Sequence, residues 1–186
     1  MERPVILSVL AAVALLLPAV LGGRFSNLAR VRVAHRHRLL LGLLLQVAAI
    51  GLSGRVARNL LGALHVSSYL VLATVLWANR RLPGAGFIAT GAFLNGLTIA
   101  LNGGTLPASA PALRTAGLTP DESGFSNSAP VRSPVLWFLG DVFGIPADVP
   151  MANVFSVGDV IVLAGVAVAA FGICGTRWRP VTIRAS

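Results

Sequence analysis

Five apolar runs limit what this chain can fold into: Val5–Leu21, Leu39–Ser53, Leu60–Ala78, Gly84–Asn102 and Val157–Ile173. A helix crossing a bilayer needs about 20 largely apolar residues, with a range of about 17–25. The first, third and fifth runs fit that pattern most cleanly. The second is short, and the fourth is interrupted by polar residues. Only 11% of the chain is charged, against about 25% in an ordinary soluble domain; the mean hydropathy is +0.81. The expected fold is an all-α integral membrane bundle of about five transmembrane helices, one domain over residues 1–186 with a long outer loop over residues 103–150.

The formal net charge of +9 suggests nucleic acid at first sight. The basic residues, all fifteen of them Arg, are dispersed between the apolar runs instead of clustered, which is the pattern that sets membrane topology. Nucleic acid is therefore excluded as a partner. The connection after the first run holds Arg24, Arg30, Arg32, Arg36 and Arg38 with His35 and His37. Arg80 and Arg81 follow the third run, and Arg177, Arg179 and Arg184 follow the fifth. All three segments belong in the cytoplasm under the positive-inside rule. Five spans satisfy this with the N-terminus outside and the C-terminus inside, which leaves Arg3, Arg55, Arg58, Arg114 and Arg132 outside. The expected location is a bacterial inner membrane.

A cleaved signal peptide is the competing reading of residues 1–23. Its apolar stretch is long, Glu2 offsets Arg3, and no small-x-small cleavage site is evident. The single Cys174 excludes an internal disulfide; palmitoylation of that thiol is a weaker option. No Cys lies near the N-terminus, so the chain is not expected to be a lipoprotein. His35-Arg36-His37 has too few ligands for a metal site and reads as a topology anchor. No metal or cofactor is expected.

Seven of the eleven prolines fall between residues 103 and 150, which forbids a long regular helix there. The Pro120–Pro130 stretch reads as mobile. Pro134–Pro146 is apolar but too short to span, and reads as an interfacial or re-entrant piece with Trp137 at headgroup depth.

The carboxylates are scarce, six in all. Asp159 opens the last apolar run, and Asp141 precedes it in Phe138-Leu139-Gly140-Asp141. An Asp at the centre of a span costs about 2.5–3.5 kcal/mol, so one within or at the rim of a span marks a functional site by default. The inferred topology brings both to the outer side. His65 and Ser68 lie in the outer half of the third run. Asn95, Thr98 and Asn102 share one face of the fourth, climbing outward. Asp141 and Asp159 are thus the candidate catalytic residues, and Asn95, Asn102 and His65 the candidate binding residues. Each has a plainer reading. Asn95, Thr98 and Gln46 could hydrogen-bond between helices, and His65 could be a packing residue. Asn102-Gly103-Gly104-Thr105-Leu106-Pro107 could be a helix stop. Arg55 and Arg58 could face solvent or lipid phosphate. Asp159 could complement the dipole at a helix start.

Two resemblances add to this. The ordered set Gly22-Gly23-Arg24-Phe25-Ser26-Asn27-Leu28, Gln46, Asn102-Gly103-Gly104-Thr105-Leu106-Pro107, Leu139-Gly140-Asp141 and Ser156-Val157-Gly158-Asp159-Val160-Ile161 with Gly165 resembles a bacterial multi-pass membrane family, domain-of-unknown-function family 5317. That resemblance implies membrane location and fold, and no activity. Residues 137–172 are also similar to the last third of lipoprotein signal peptidase (signal peptidase II), with Asp141 and Asp159 in the places of its two catalytic aspartates. The Asn and Arg around the first aspartate of that family are Phe138 and Val142 here, and the Asn of the second motif is Ser156. The resemblance implies an aspartic dyad, one carboxylate acting as general base on water and one carboxyl as acid.

Three functions follow. The chain is a structural or accessory protein serving a membrane-protein partner. Or it binds or transports a cation, proton or lipid headgroup at the aspartates. Or it is a divergent aspartic membrane peptidase acting on a lipid-modified or transmembrane peptide. The lipid bilayer is the common partner.

Overall fold

A computed structural model of the chain describes residues 5–52, 55–119, 128–149 and 152–175. Several sequence expectations lie outside those residues: the Glu2 and Arg3 charges, most of the Pro120–Pro130 stretch, and the C-terminal Arg177, Arg179 and Arg184.

The chain is mostly helical. The apolar runs form α1 (Val5–Val20), α2 (Arg36–Gly51), α3 (Arg58–Ala78) and α4 (Ala85–Leu101), and the last forms α6 (Val157–Cys174). A short 3₁₀ helix, Phe25–Arg30, joins α1 to α2. Two helical stretches, Asn59–Ala78 and Val157–Cys174, are long and apolar enough to cross a membrane, and Ala85–Leu101 is a shorter apolar helix.

Glycines set how closely the helices approach. Gly84 sits in the left-handed region, φ 75°, and its α-carbon faces the Gly165 carbonyl and Ala169. Gly91 lies against the Gly158 carbonyl and Val162. A β-carbon on Gly165 would come within 2.7 Å of Ile88, and one on Gly172 within 2.8 Å of Pro83. Small residues on both faces thus bring the antiparallel α4 and α6 to backbone contact, the way helices associate where lipid removes the hydrophobic drive. Gly42 accommodates Leu72 between α2 and α3, and Gly96 accommodates Tyr69 between α3 and α4.

The connections fall at two opposite ends. At one end α1 and α6 finish together: the Arg24 amide donates to the Cys174 carbonyl at 2.8 Å, and the Asn27 side chain reaches the same oxygen at 3.4 Å. Cys174 is 1% exposed, so no accessible thiol is presented for palmitoylation. Asn79, the C-terminal cap of α3, fastens the approach to α2. Its side chain accepts from the Ala34 amide at 2.9 Å and donates to the Ala34 carbonyl at 3.0 Å.

At the other end a small folded cap covers α3, α4 and α6. It contains β1 (Leu106–Pro107), α5 (Ala110–Thr115), β2 (Ser128–Ala129), a 3₁₀ turn (Trp137–Leu139), β3 (Asp141–Gly144) and β4 (Val154–Ser156). β1 pairs parallel to β2, in register Leu106 with Ser128. β3 pairs antiparallel to β4, Asp141 opposite Ser156, with a bulge before Phe143. A bridge from Ala108 to Asp141 joins the two sheets. Ala112 and Ala116 of α5 pack on Val154 of β4, and Phe143 stacks on Phe155 at 5.3 Å.

The cap bears on two expectations. The chain is mostly helical, as expected, but the segment read as one long outer loop holds short strands among its described residues. Proline spacing blocks helices there, and short ladders are the remaining way to pair backbone groups brought over a packed bundle end. Residues 134–146, expected to be an interfacial or re-entrant piece, have a defined local structure. They form the 3₁₀ turn and β3, with Trp137 and Phe138 61% and 51% exposed.

Candidate functional site

α6 begins with Ser156-Val157-Gly158-Asp159, a Ser/Thr-x-x-Asp/Glu spacing that lets two side chains satisfy each other's backbone amides. The Asp159 amide donates to Ser156 Oγ at 3.0 Å, and the Ser156 amide donates to Asp159 Oδ2 at 2.9 Å. Asn95 on α4 completes the group: its Nδ2 donates to Asp159 Oδ1 at 2.9 Å. The Ser156 hydroxyl lies 2.9 Å from both Asn95 Oδ1 and Asp159 Oδ2. It has one hydrogen to give. Given to Asn95 Oδ1, it closes a ring in which every donor has an acceptor and each Asp159 oxygen accepts one bond. This ring is the polar fastener between α4 and α6. Gly158 makes it possible, since its α-carbon lies against the Asn95 side chain.

Asp141 has a different setting. As the first residue of β3 it lies opposite Ser156, and its carbonyl accepts from the Ser109 amide at 3.0 Å. The side chain is 4% exposed, and Oδ1 receives no hydrogen bond of ordinary geometry among the described residues. Burial pushes the carboxyl pKa up, the neighbouring Ser128 hydroxyl draws it down, and the charge of Asp159 pushes it up again. The net result is about 7. Buried carboxyls without full hydrogen bonding hold their proton in this way. Tyr69 on α3, the chain's one tyrosine, is within electrostatic reach of both aspartates and packs edge-on against His65 at 5.4 Å.

The candidates therefore divide into two layers. Asp141, Asp159 and Asn95 form one cluster with Ser156, Ser128 and Tyr69. His65 and Asn102 lie beside it and hold the cap. His65 Nδ1 is 3.0 Å from the Gly104 carbonyl, and the ring is 2% exposed. Asn102, the C-terminal cap of α4, takes Val135 between the two ends of its amide. It donates to the Val135 carbonyl and accepts from the Val135 amide, both at 2.9 Å. The sequence Asn102-Gly103-Gly104 is also the helix stop it resembles, with φ of 68° and 94° at the two glycines. Ser68 and Thr98 bond to carbonyls of their own helices.

Ser128, Tyr69 and Asn79 were not singled out from sequence. Tyr69 was findable, lying four residues after His65 on the same helix face. Ser128 reaches the cluster only through strand pairing. No group of three or more metal-ligating side chains occurs among the described residues. A shallow groove of about 250 Å³ runs between Ala108, Ser109, Val131 and Trp137, and neither aspartate lines it.

A proton-holding carboxyl near an ionisable neighbour is the electrostatic signature of an acid–base pair. Here Asp159 already has both oxygens engaged, and Asp141 is sealed from solvent. The arrangement is better equipped to bind a proton and fasten elements together than to place water on a scissile bond.

Comparison with known proteins agrees with the sequence pattern. A family model described as a family of unknown function (DUF5317) matches residues 30–171. An uncharacterised protein of Thermotoga maritima is 36% identical over 101 residues, covering 53% of this chain and 57% of that protein. The chain thus matches a little over half the length of that relative. No solved structure matches.

Proposed function

We propose, from the premise that the chain belongs to the family of unknown function DUF5317, that it is a five-span inner-membrane protein of structural or accessory type. Its folded cap faces outward for a membrane-protein partner, and Asp141 and Asp159 fasten that cap to the bundle. The observation that carries this reading is the closed ring of Asp159, Ser156 and Asn95, which commits the last-helix aspartate to structure.

Three further features support it. Large apolar side chains stand exposed along several helices, among them Leu44, Val47, Leu70, Trp77 and Phe93, each more than 60% exposed. A soluble monomer rarely shows so much apolar surface. The end opposite the cap holds Arg24, Arg30, Arg32, Arg36, Arg38, Arg80 and Arg81, while Asp141, Asp148 and Asp159 belong to the cap side. That segregation fits a basic cytoplasmic end and an outward-facing cap. Inward of Asp159, Gly84, Gly91 and Gly165 hold α4 and α6 in close contact, which disfavours a polar transport path along that seam.

The second reading, a divergent aspartic membrane peptidase, is favoured by one observation: the charge of Asp159 acts on the proton-holding Asp141. The two readings separate in cells. Where deletion of the gene gives a phenotype, Asp159→Asn restores function if the chain is structural, because an amide still caps the helix. Failure of that well-expressed variant, with loss of cleavage of a lipid-modified peptide, establishes the peptidase instead.

A further inference from the structure

At the end away from the cap, residues 29–39 enclose a groove of about 740 Å³. Its lining is half basic or ionisable, Arg32, His35, Arg36 and His37, and half apolar, with Val31, Val33 and Leu39 the larger side chains. The backbone there is held in place. His35 sits in the left-handed region at φ 57°, and the Asn79 amide grips both polar atoms of Ala34. α2 starts inside the groove with no acidic residue in its first turn. The six carboxylates of the chain are at positions 2, 121, 122, 141, 148 and 159. The three that are described belong to the cap side or α6. The groove therefore concentrates positive charge without a neighbouring carboxylate among the described residues.

We infer that this groove binds the phosphate headgroup of an anionic phospholipid. Charge complementarity identifies a phosphate, and the adjoining surface identifies a lipid as its carrier. From the groove, Leu40, Leu44 and Val47 form one face of α2 and are 61%, 64% and 67% exposed. That stripe suits an acyl chain. The 3₁₀ helix beside it buries none of its residues and exposes Phe25 and Leu28, as an interfacial segment does. Arg32 and Arg36 grip the phosphate, by the fork geometry that makes Arg a phosphate ligand, and the α2 stripe carries the tail. This inference rests on the membrane reading above.

The test uses the full chain purified in neutral detergent, titrated with phosphatidylglycerol and read by native mass spectrometry as bound lipid per protein. An Arg32→Ala/Arg36→Ala variant is expected to bind phosphatidylglycerol about 25-fold more weakly, about fivefold per charge at an anionic lipid surface. Arg114→Ala/Arg132→Ala, on the cap side, is expected to bind like the parent. Phosphatidylcholine is expected to bind weakly to both variants and the parent. The inference is overturned if the Arg32/Arg36 variant binds phosphatidylglycerol as the parent does. It is also overturned if inorganic phosphate displaces the lipid at equal concentration, which makes the site one for the free ion. Failure of the membrane reading gives a different result, a parent chain that stays monodisperse without detergent.

Discussion

Replacing Asp141 by Asn isolates the cost of its ionisation. The carboxyl is 4% exposed and its pKa in the folded chain is about 7, against an ordinary value of 3.8. A folded-state pKa above the unfolded one means that the folded state binds the proton more tightly between those values. The stabilisation is complete below about pH 4, erodes as pH rises, and is gone once pH passes about 7. Each pH unit corresponds to about 1.4 kcal/mol, so the full span amounts to ~4 kcal/mol at most. Asn is nearly isosteric and never ionises. Asp141→Asn should therefore flatten the pH profile and be the more stable protein at pH 8, by ~2–4 kcal/mol. The assay is thermal unfolding of parent and variant in the same detergent from pH 4.5 to pH 8.5. The parent should lose stability across that range, and the variant should hold level. A variant with the parent's slope, or one less stable than the parent at pH 8, refutes the assignment of a buried, proton-holding Asp141.

Other substitutions test the rest of the structure. Asp159→Asn removes the charge that helps keep Asp141 protonated, so the loss of stability with rising pH should be smaller and end at lower pH in this variant. Breaking one or two bonds of the ring should also cost about 1–3 kcal/mol, read by the same thermal assay. Asn102→Ala releases Val135 next to Leu136, which occupies the left-handed region at φ 54°. Limited proteolysis should then cut the cap at residues 130–140 well before the helices, with a stability loss of about 1–3 kcal/mol. Gly158→Val drives a side chain into Asn95 and the Gly91 carbonyl, and should cost more than ~3 kcal/mol or abolish expression of folded protein, measured by size-exclusion chromatography.

The helices were legible because long apolar runs favour helix, and α3 and α6 are long and apolar enough to cross a membrane without help from distant residues. The helix stop at Asn102-Gly103-Gly104 was equally local. The cap was not legible. Its strands are two to four residues long and pair across gaps in sequence, Leu106 with Ser128 and Asp141 with Ser156. No periodicity develops over such lengths. Topology alone brought Asp141, Asp159 and Asn95 to one side, and the spacing Ser156-x-x-Asp159 already held the signal for a cap. The ring with Asn95 depends on the backbone approach at Gly91 and Gly158, which the sequence marks only as small residues. Asn79 makes the same two-ended grip as Asn102, yet beside Arg80 and Arg81 it reads as an ordinary turn residue.

The proposed five-span topology puts the cap and the aspartates on the outer face. Single cysteines at Ser133 in the cap and Arg81 at the basic end, in a Cys174→Ser background, test it directly. In intact cells, a membrane-impermeant thiol reagent should label Ser133→Cys at once and Arg81→Cys only after lysis. Labelling of position 81 with position 133 protected would invert the topology and rule out an outward-facing cap.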